Sequence, residues 1–136
     1  MFLIDFCLEK IFKVLPKNSL LYIQECSSTN DAILNLPNLD DDLVGVFTFN
    51  QNKGRGQYGN IWLCPPGLNL AYSLKIPKKI INTSEVLFNF HTALLLREFL
   101  ANLTKAKTYI KWPNDIIIND KKVSGMLIEQ KNINGR

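Results

Sequence analysis

Apolar residues recur on a roughly helical period from Phe2 to Leu15, and Pro16 breaks the pattern, which predicts a first helix. The run SLLYIQE, Ser19 to Glu25, reads as a strand. Ser28 or Thr29 then stands where an N-cap is needed for a short helix through Leu36, stopped by Pro37. LVGVFTFNQ, residues 43–51, is β-branched and aromatic and predicts a second strand leading into a glycine-bearing loop. LNLAYSLKI, Leu68 to Ile76, alternates well enough for a third. Ser84 to Leu103 is the longest helical segment, with Val86, Leu87, Phe90, Leu94, Phe99 and Leu103 as an inward stripe and Glu85 suited to the helix dipole. TYIKW is a strand that ends at Pro113. Trp112 is expected in the core, and Lys111, by strand alternation, on the opposite face. Residues 115–130 read as a β-hairpin turning at Asn119–Asp120. Strands and helices mix without regular βαβ alternation, so the expected class is α+β.

The length, 136 residues, suits one domain, and 46% hydrophobic content supplies a core for it. The net charge of +4 is spread along the chain, with no block of like charges to mark a tail. It is compatible with a phosphate-bearing ligand or with nucleic acid. Cys7, Cys26 and Cys64 are odd in number and lack CxxC spacing, which argues against a disulfide framework or zinc site and for a reducing compartment. The apolar start carries Asp5, Glu9, Lys10 and Lys13 and does not read as a signal peptide. No run of about 18 apolar residues predicts a membrane span.

Three short stretches carry candidate chemistry. In QNKGRGQYGNIW, Gly54, Gly56 and Gly59 allow positive φ and close approach of backbone to a ligand, and Arg55 adds a planar fork of donors. Successive peptide N–H groups in such a loop form an anion-binding concavity, although a plain hairpin loop explains the glycines equally well. The spacing matches neither a Walker A loop nor the dinucleotide fingerprint. In KWPND, Lys111 stands at a strand end beside the rigid Pro113, placed to hold an anion or simply solvated. Asn114 and Asp115 could contact a nucleotide or a metal, with turn formation as the plainer role. SSTN, Ser27 to Asn30, is first of all a helix N-cap. His91 sits in the long helix without partners, Cys64 lacks a matched His/Asp pattern, and Asp40–Asp42 reads as a solvated turn.

Taken in order, SSTN, then Q..GRG..GN.W..P.G.N...S, then KWPND, then KKVSGMLIE resembles the catalytic domain of biotin–protein ligases, from Ser27 to Glu129. The resemblance implies a mixed β-sheet with helices packed on one face, the class II synthetase-like fold shared with lipoate ligases. It implies biotin and ATP as substrates with Mg²⁺, biotinyl-5′-AMP as the intermediate, and transfer of biotin to a lysine of a carboxyl carrier domain of acetyl-CoA carboxylase or a related carboxylase. Beside these stand the expectations of a cytoplasmic location, a homodimer as one option, and neither DNA nor membrane as partner. Carried over by motif, Ser28 and Thr29 would line the biotin pocket with Asn30 beside them, and Gln51 and Arg55 would contact the ureido and neighbouring polar atoms. Gly54 and Gly56 would close over the ligand, and Trp62 would pack by the adenylate. Lys111 would meet the biotin carboxylate and the α-phosphate. Gly125, with the backbone of Met126 and Leu127, would form the wall under the biotin ring.

The sequence departs from that pattern in two ways. Many relatives carry a second arginine where this chain has Gln57, and some a further basic residue where it has Asn60, which implies looser retention of the adenylate. The family's catalytic domain also continues past the hairpin into a glycine-rich strand, and its members carry a C-terminal β-domain. Residues 1–136 are therefore expected to be the N-terminal and central part of the domain, with poor or no ligase activity, some tendency to self-associate and no repressor function. Rival readings are a biotin binder that does not activate its ligand, a lipoate or other acyl ligase, and a small nucleic-acid-binding module using Lys53, Arg55, Tyr58 and Trp62.

Overall fold

The computed structural model describes residues 20–36, 43–78 and 81–130. The helix expected over Phe2–Leu15 and the acidic turn at Asp40–Asp42 lie outside those residues. The chain divides into two units, Met1–Ile80 and Ile81–Arg136.

The first unit contains β1 (Leu20–Tyr22), α1 (Thr29–Leu34), β2 (Val44–Thr48), β3 (Gly54–Arg55), β4 (Ile61–Trp62) and β5 (Ala71–Lys75). β2 is the middle strand of a mixed sheet, parallel to β1 (Leu21 opposite Val46) and antiparallel to β5 (Val46 opposite Ser73). All five residues of β2 are buried, which explains a continuous apolar run where a half-buried strand would alternate. Enclosing a side chain such as Val46 contributes about 1.5–3 kcal/mol. Tyr22, Phe47 and Phe49 pack ring against ring, with centroids 5.3–6.4 Å apart. α1 lies against β2 and β5 with Ile33 buried. Its six residues are too few for a helix stable on its own, so tertiary contacts hold it.

The glycine loop is a two-stranded ribbon, with Gly54 opposite Trp62 and Arg55 opposite Ile61. Its three glycines do different jobs, and the expectation of positive φ holds for one. Gly59 has φ 77°, following Tyr58 in the left-handed region at φ 57°, ψ 30°. Gly56 is ordinary extended backbone, φ −108°, ψ −175°. Gly54 is required by crowding: a Cβ there would come within 2.6 Å of the Trp62 carbonyl oxygen and 2.5 Å of Gln51 Nε2.

The second unit contains α2 (Glu85–Thr104), β6 (Thr108–Lys111), β7 (Asp115–Ile118) and β8 (Lys121–Gly125). Ser84 caps α2 by accepting the Leu87 N–H at 3.3 Å, and Lys105 ends it in the left-handed conformation. The three strands form an antiparallel sheet in chain order, and α2 lies on β6 and β7. Asn119 and Asp120, at φ 49° and 61°, make the expected two-residue turn between β7 and β8. A bulge follows, so that Val123 has no partner between the Ile116–Ser124 and Ile117–Lys122 pairs.

Two expectations are corrected here. The α2 stripe is misplaced: Val86, Leu87, Phe90 and Leu94 are exposed, whereas Ala93 is fully enclosed and Leu96, Phe99, Leu100 and Leu103 are half-buried. Apolar residues surround this helix, so periodicity could not choose a face. The enclosed residue is Ala93, on a helix that lies on β6 and β7. Trp112 is not in the core but 52% exposed, with its ring edge-on to Phe90 at 5.0 Å. The strand stops at Lys111, so alternation no longer governs Trp112.

Candidate functional site

The parallel strands β1 and β2 lead into segments that stay side by side. Cys26 N–H donates to the Asn50 carbonyl (3.1 Å), Asn52 N–H to the Cys26 carbonyl (3.1 Å), and Lys53 N–H to the Ser27 carbonyl (2.8 Å). This brings the start of α1 against Gln51. Ser28 occupies the expected cap position, but its side chain makes no capping bond. Instead the first helical N–H, that of Thr29, donates to Gln51 Oε1 at 2.8 Å. The Thr29 hydroxyl donates to the same oxygen at 3.2 Å. From β5, the Ser73 hydroxyl reaches Thr29 Oγ1 at 2.8 Å and makes a short bond to Asn30 Oδ1.

Ser28, Thr29, Gln51 and Ser73 are all buried, at 4–8% exposure. Ser73 has one hydroxyl hydrogen for two acceptors, Thr29 Oγ1 and Asn30 Oδ1. The cluster carries donors as well as acceptors, the Gln51 amide nitrogen among them, and suits a polar ligand. Gly54, itself buried, lies directly over Gln51.

Arg55, half-exposed, makes a bidentate ion pair with Asp31, one residue beyond Asn30 in α1. Its two terminal nitrogens reach the two carboxylate oxygens at 2.5 and 2.8 Å. Gln57 lies in the 3₁₀ turn, and Trp62 is half-buried opposite Gly54. Burial pushes the Cys64 thiol up, and hydrogen bonds with Trp62 and Gln51 offset this only in part. Burial and the neighbouring Glu25 charge raise Cys26 as well. Neither sulfur is an activated nucleophile.

The remaining expected residues belong to the second unit. Lys111 ends β6, exposed, opposite Asp115 in the ladder. Asp115 is paired with Lys122 Nζ at 2.8 Å. Asn114 Nδ2 donates to the Met126 carbonyl at 2.8 Å, and Met126 N–H returns a bond to the Asn114 carbonyl at 3.0 Å. Asn114 and Asp115 thus hold the hairpin together, the plainer of the roles open to them. Gly125 lies opposite Asp115, and Met126 and Leu127 follow, half-buried. Among the described residues no group of three His, Cys, Asp or Glu could hold a metal, and no helix is long and apolar enough to cross a membrane.

The sequence reading assigned no part to Asp31 or Ser73. Ser73 closes the glycine-loop motif and could have been found there. Asp31 was hidden as an ordinary acidic residue at a helix start.

The α+β arrangement, with its mixed sheet, matches the fold of biotin protein ligase catalytic domains. The profile of the biotin/lipoate A/B protein ligase family matches residues 21–136, and the chain belongs to that family. It is 36% identical over 105 residues to the biotin–[acetyl-CoA-carboxylase] ligase of Paracoccus denitrificans, covering 75% of this chain and 43% of that protein. To the bifunctional ligase/repressor BirA of Escherichia coli it is 34% identical over 84 residues, covering 58% of this chain and 25% of BirA. Among solved structures, the Aquifex aeolicus biotin protein ligase in complex with biotin and ATP superposes with TM-score 0.72 at 29% identity, covering 83% of this chain and 47% of that one. The Helicobacter pylori biotin acetyl coenzyme A carboxylase synthetase with bound biotinylated ATP gives TM-score 0.70 at 26% identity, with 82% and 55% covered. The chain thus spans between a quarter and just over half of the length of these relatives.

Proposed function

We propose that this chain carries the biotin-binding and activating site of a biotin–protein ligase. In the first step a biotin carboxylate oxygen bonds to the α-phosphorus of ATP as the bond to pyrophosphate breaks, giving biotinyl-5′-AMP. In the second, the neutral amine of a lysine on a carboxyl carrier domain attacks the acyl carbon, AMP leaves, and an amide forms. The acceptor would be a subunit or domain of acetyl-CoA carboxylase or a related carboxylase, and the reaction would take place in the cytoplasm.

The observation that carries this reading is the buried chain Ser73–Thr29–Gln51 beneath Gly54. Its buried hydroxyl and amide groups would meet the polar ureido ring, and its burial excludes competing water. Lys111 would offset the negative charge that gathers when one anion attacks another, a role that needs no proton transfer. Mg²⁺ would arrive with the ATP phosphates, because the described residues offer no cluster of protein ligands for it. Arg55 and the ribbon amides would hold the adenylate, and the ribbon would shield it from hydrolysis.

Thermal shift with biotin and with lipoate, followed by pyrophosphate release from ATP, tests the proposal. Biotin is expected to raise the melting temperature and lipoate to leave it unchanged. Pyrophosphate release is expected to depend on biotin and to fall by about 10²–10³ in Lys111→Ala, whose exposed side chain is not needed for folding. A shift with lipoate alone would make the chain a lipoate-type ligase. A biotin shift without pyrophosphate release would make it a binding module. No shift with either would end the reading.

A further inference from the structure

We infer that Asp31 is a positioning residue: it aims the Arg55 guanidinium at the ligand of the polar cluster before that ligand arrives. The inference rests on the proposed biotin site and adds to it a residue that none of its motifs assigns.

The backbone on either side of Arg55 is fixed. Gly54 is wedged between Gln51 and the Trp62 carbonyl, and Gly56 N–H donates to the Asn60 carbonyl at 2.7 Å. The long Arg55 side chain has many rotamers to lose, however, and a free guanidinium would lose them when the ligand binds. Asp31 removes that freedom in advance. Both terminal nitrogens meet both carboxylate oxygens, so the plane of the fork is set as well as its position. The carboxylate is itself anchored to the cluster, because Thr29, Asn30 and Asp31 are consecutive residues of one helical turn and the first two are bonded to Gln51 or Ser73. Two of the five guanidinium donors are spent on Asp31, and about 40% of the Arg55 side chain remains open to solvent.

The test compares Asp31→Asn and Asp31→Glu with wild type in the full chain, using biotin as the probe. Isothermal titration gives the Kd, and hydrogen exchange follows the amides of residues 51–62. Asp31→Asn keeps the shape at a half-exposed site. It is expected to raise the Kd about three- to tenfold and to speed exchange in the ribbon. Asp31→Glu, which keeps the charge, is expected to recover most of the affinity. Three results overturn the inference: an unchanged Kd in Asp31→Asn; a tighter Kd, which would make Asp31 a competitor for Arg55; or equal losses in the two variants, which would mark a purely structural role. If wild type does not bind biotin, the ligand reading fails by itself. Faster ribbon exchange in Asp31→Asn, reversed in Asp31→Glu, then still supports the placing of Arg55 by Asp31, and unchanged exchange sinks that too.

Discussion

Adding one methyl group to the glycine ribbon separates crowding from flexibility. In Gly54→Ala the new Cβ would lie 2.5 Å from Gln51 Nε2, 2.6 Å from the Trp62 carbonyl oxygen and 3.1 Å from Trp62 Cβ. The Gln51 amide ends a flexible side chain, but it cannot swing away cheaply. Its oxygen holds both the Thr29 N–H and the Thr29 hydroxyl. The Trp62 carbonyl is backbone and cannot retreat without opening the ribbon. Overpacking of this kind costs about 1–3 kcal/mol, and each hydrogen bond surrendered at Gln51 adds about 0.5–1.5 kcal/mol. With one such bond surrendered the total is about 1.5–4.5 kcal/mol, or a fall of roughly 6–18 °C in melting temperature at this chain length. Gly56→Ala is the control. Its Cβ would be 3.4 Å from the Asn60 carbonyl oxygen, on backbone any residue adopts, so its cost should stay within about 1 kcal/mol. Thermal melts of both variants, followed by circular dichroism and paired with biotin titration, check this. If both melt within about 2 °C of wild type, Gly54 is not jammed between Gln51 and Trp62, and the account of the ribbon is wrong.

Other changes probe the same cluster. Thr29→Val keeps the shape and the backbone bond to Gln51 but removes the hydroxyl's bonds to Gln51 and Ser73. Urea denaturation should show a loss of about 1–3 kcal/mol together with weaker biotin binding, and full stability would show that the hydroxyl network contributes nothing. Gln57→Arg adds a cation to the ribbon and is expected to slow release of biotinyl-5′-AMP in a filter-binding chase. An unchanged release rate would remove the charge argument. Because Cys64 is raised, less of it is thiolate at any given pH, so at pH 8 it should react with a disulfide reagent more slowly than free cysteine, and more slowly still with biotin present. The stabilising effect of the raised value is complete below the ordinary thiol range and lost as pH rises through the folded value. Reaction at the free-cysteine rate would contradict the burial described for it.

Local chemistry was the legible part of the sequence. Asn119 and Asp120 announced a two-residue turn, and the β-branched and aromatic run of β2 announced a strand. Chemistry that depends on residues distant in the chain was not legible. Ser73 reaches Thr29 across 44 positions and Arg55 reaches Asp31 across 24, and no spacing rule links either pair. The face of α2 was misread for a related reason. With apolar side chains on every side, the choice lay with the partner sheet rather than with the helix. The three glycines looked alike because sequence shows only that a Cβ is missing. One absence relieves a clash, one permits a backbone conformation, and the absence at Gly56 answers to neither need.

The lockstep run of residues 26–29 beside residues 50–54 has a bearing on engineering. Two chain segments are clamped there at fixed pitch, with Gln51 serving as both splice and spacer. Loop libraries and grafts can vary the length of the ribbon tip at Gln57–Asn60 without disturbing the clamp. A single residue added between Gln51 and Gly54 would carry the wedge off its seat and leave the start of α1 without its substitute cap.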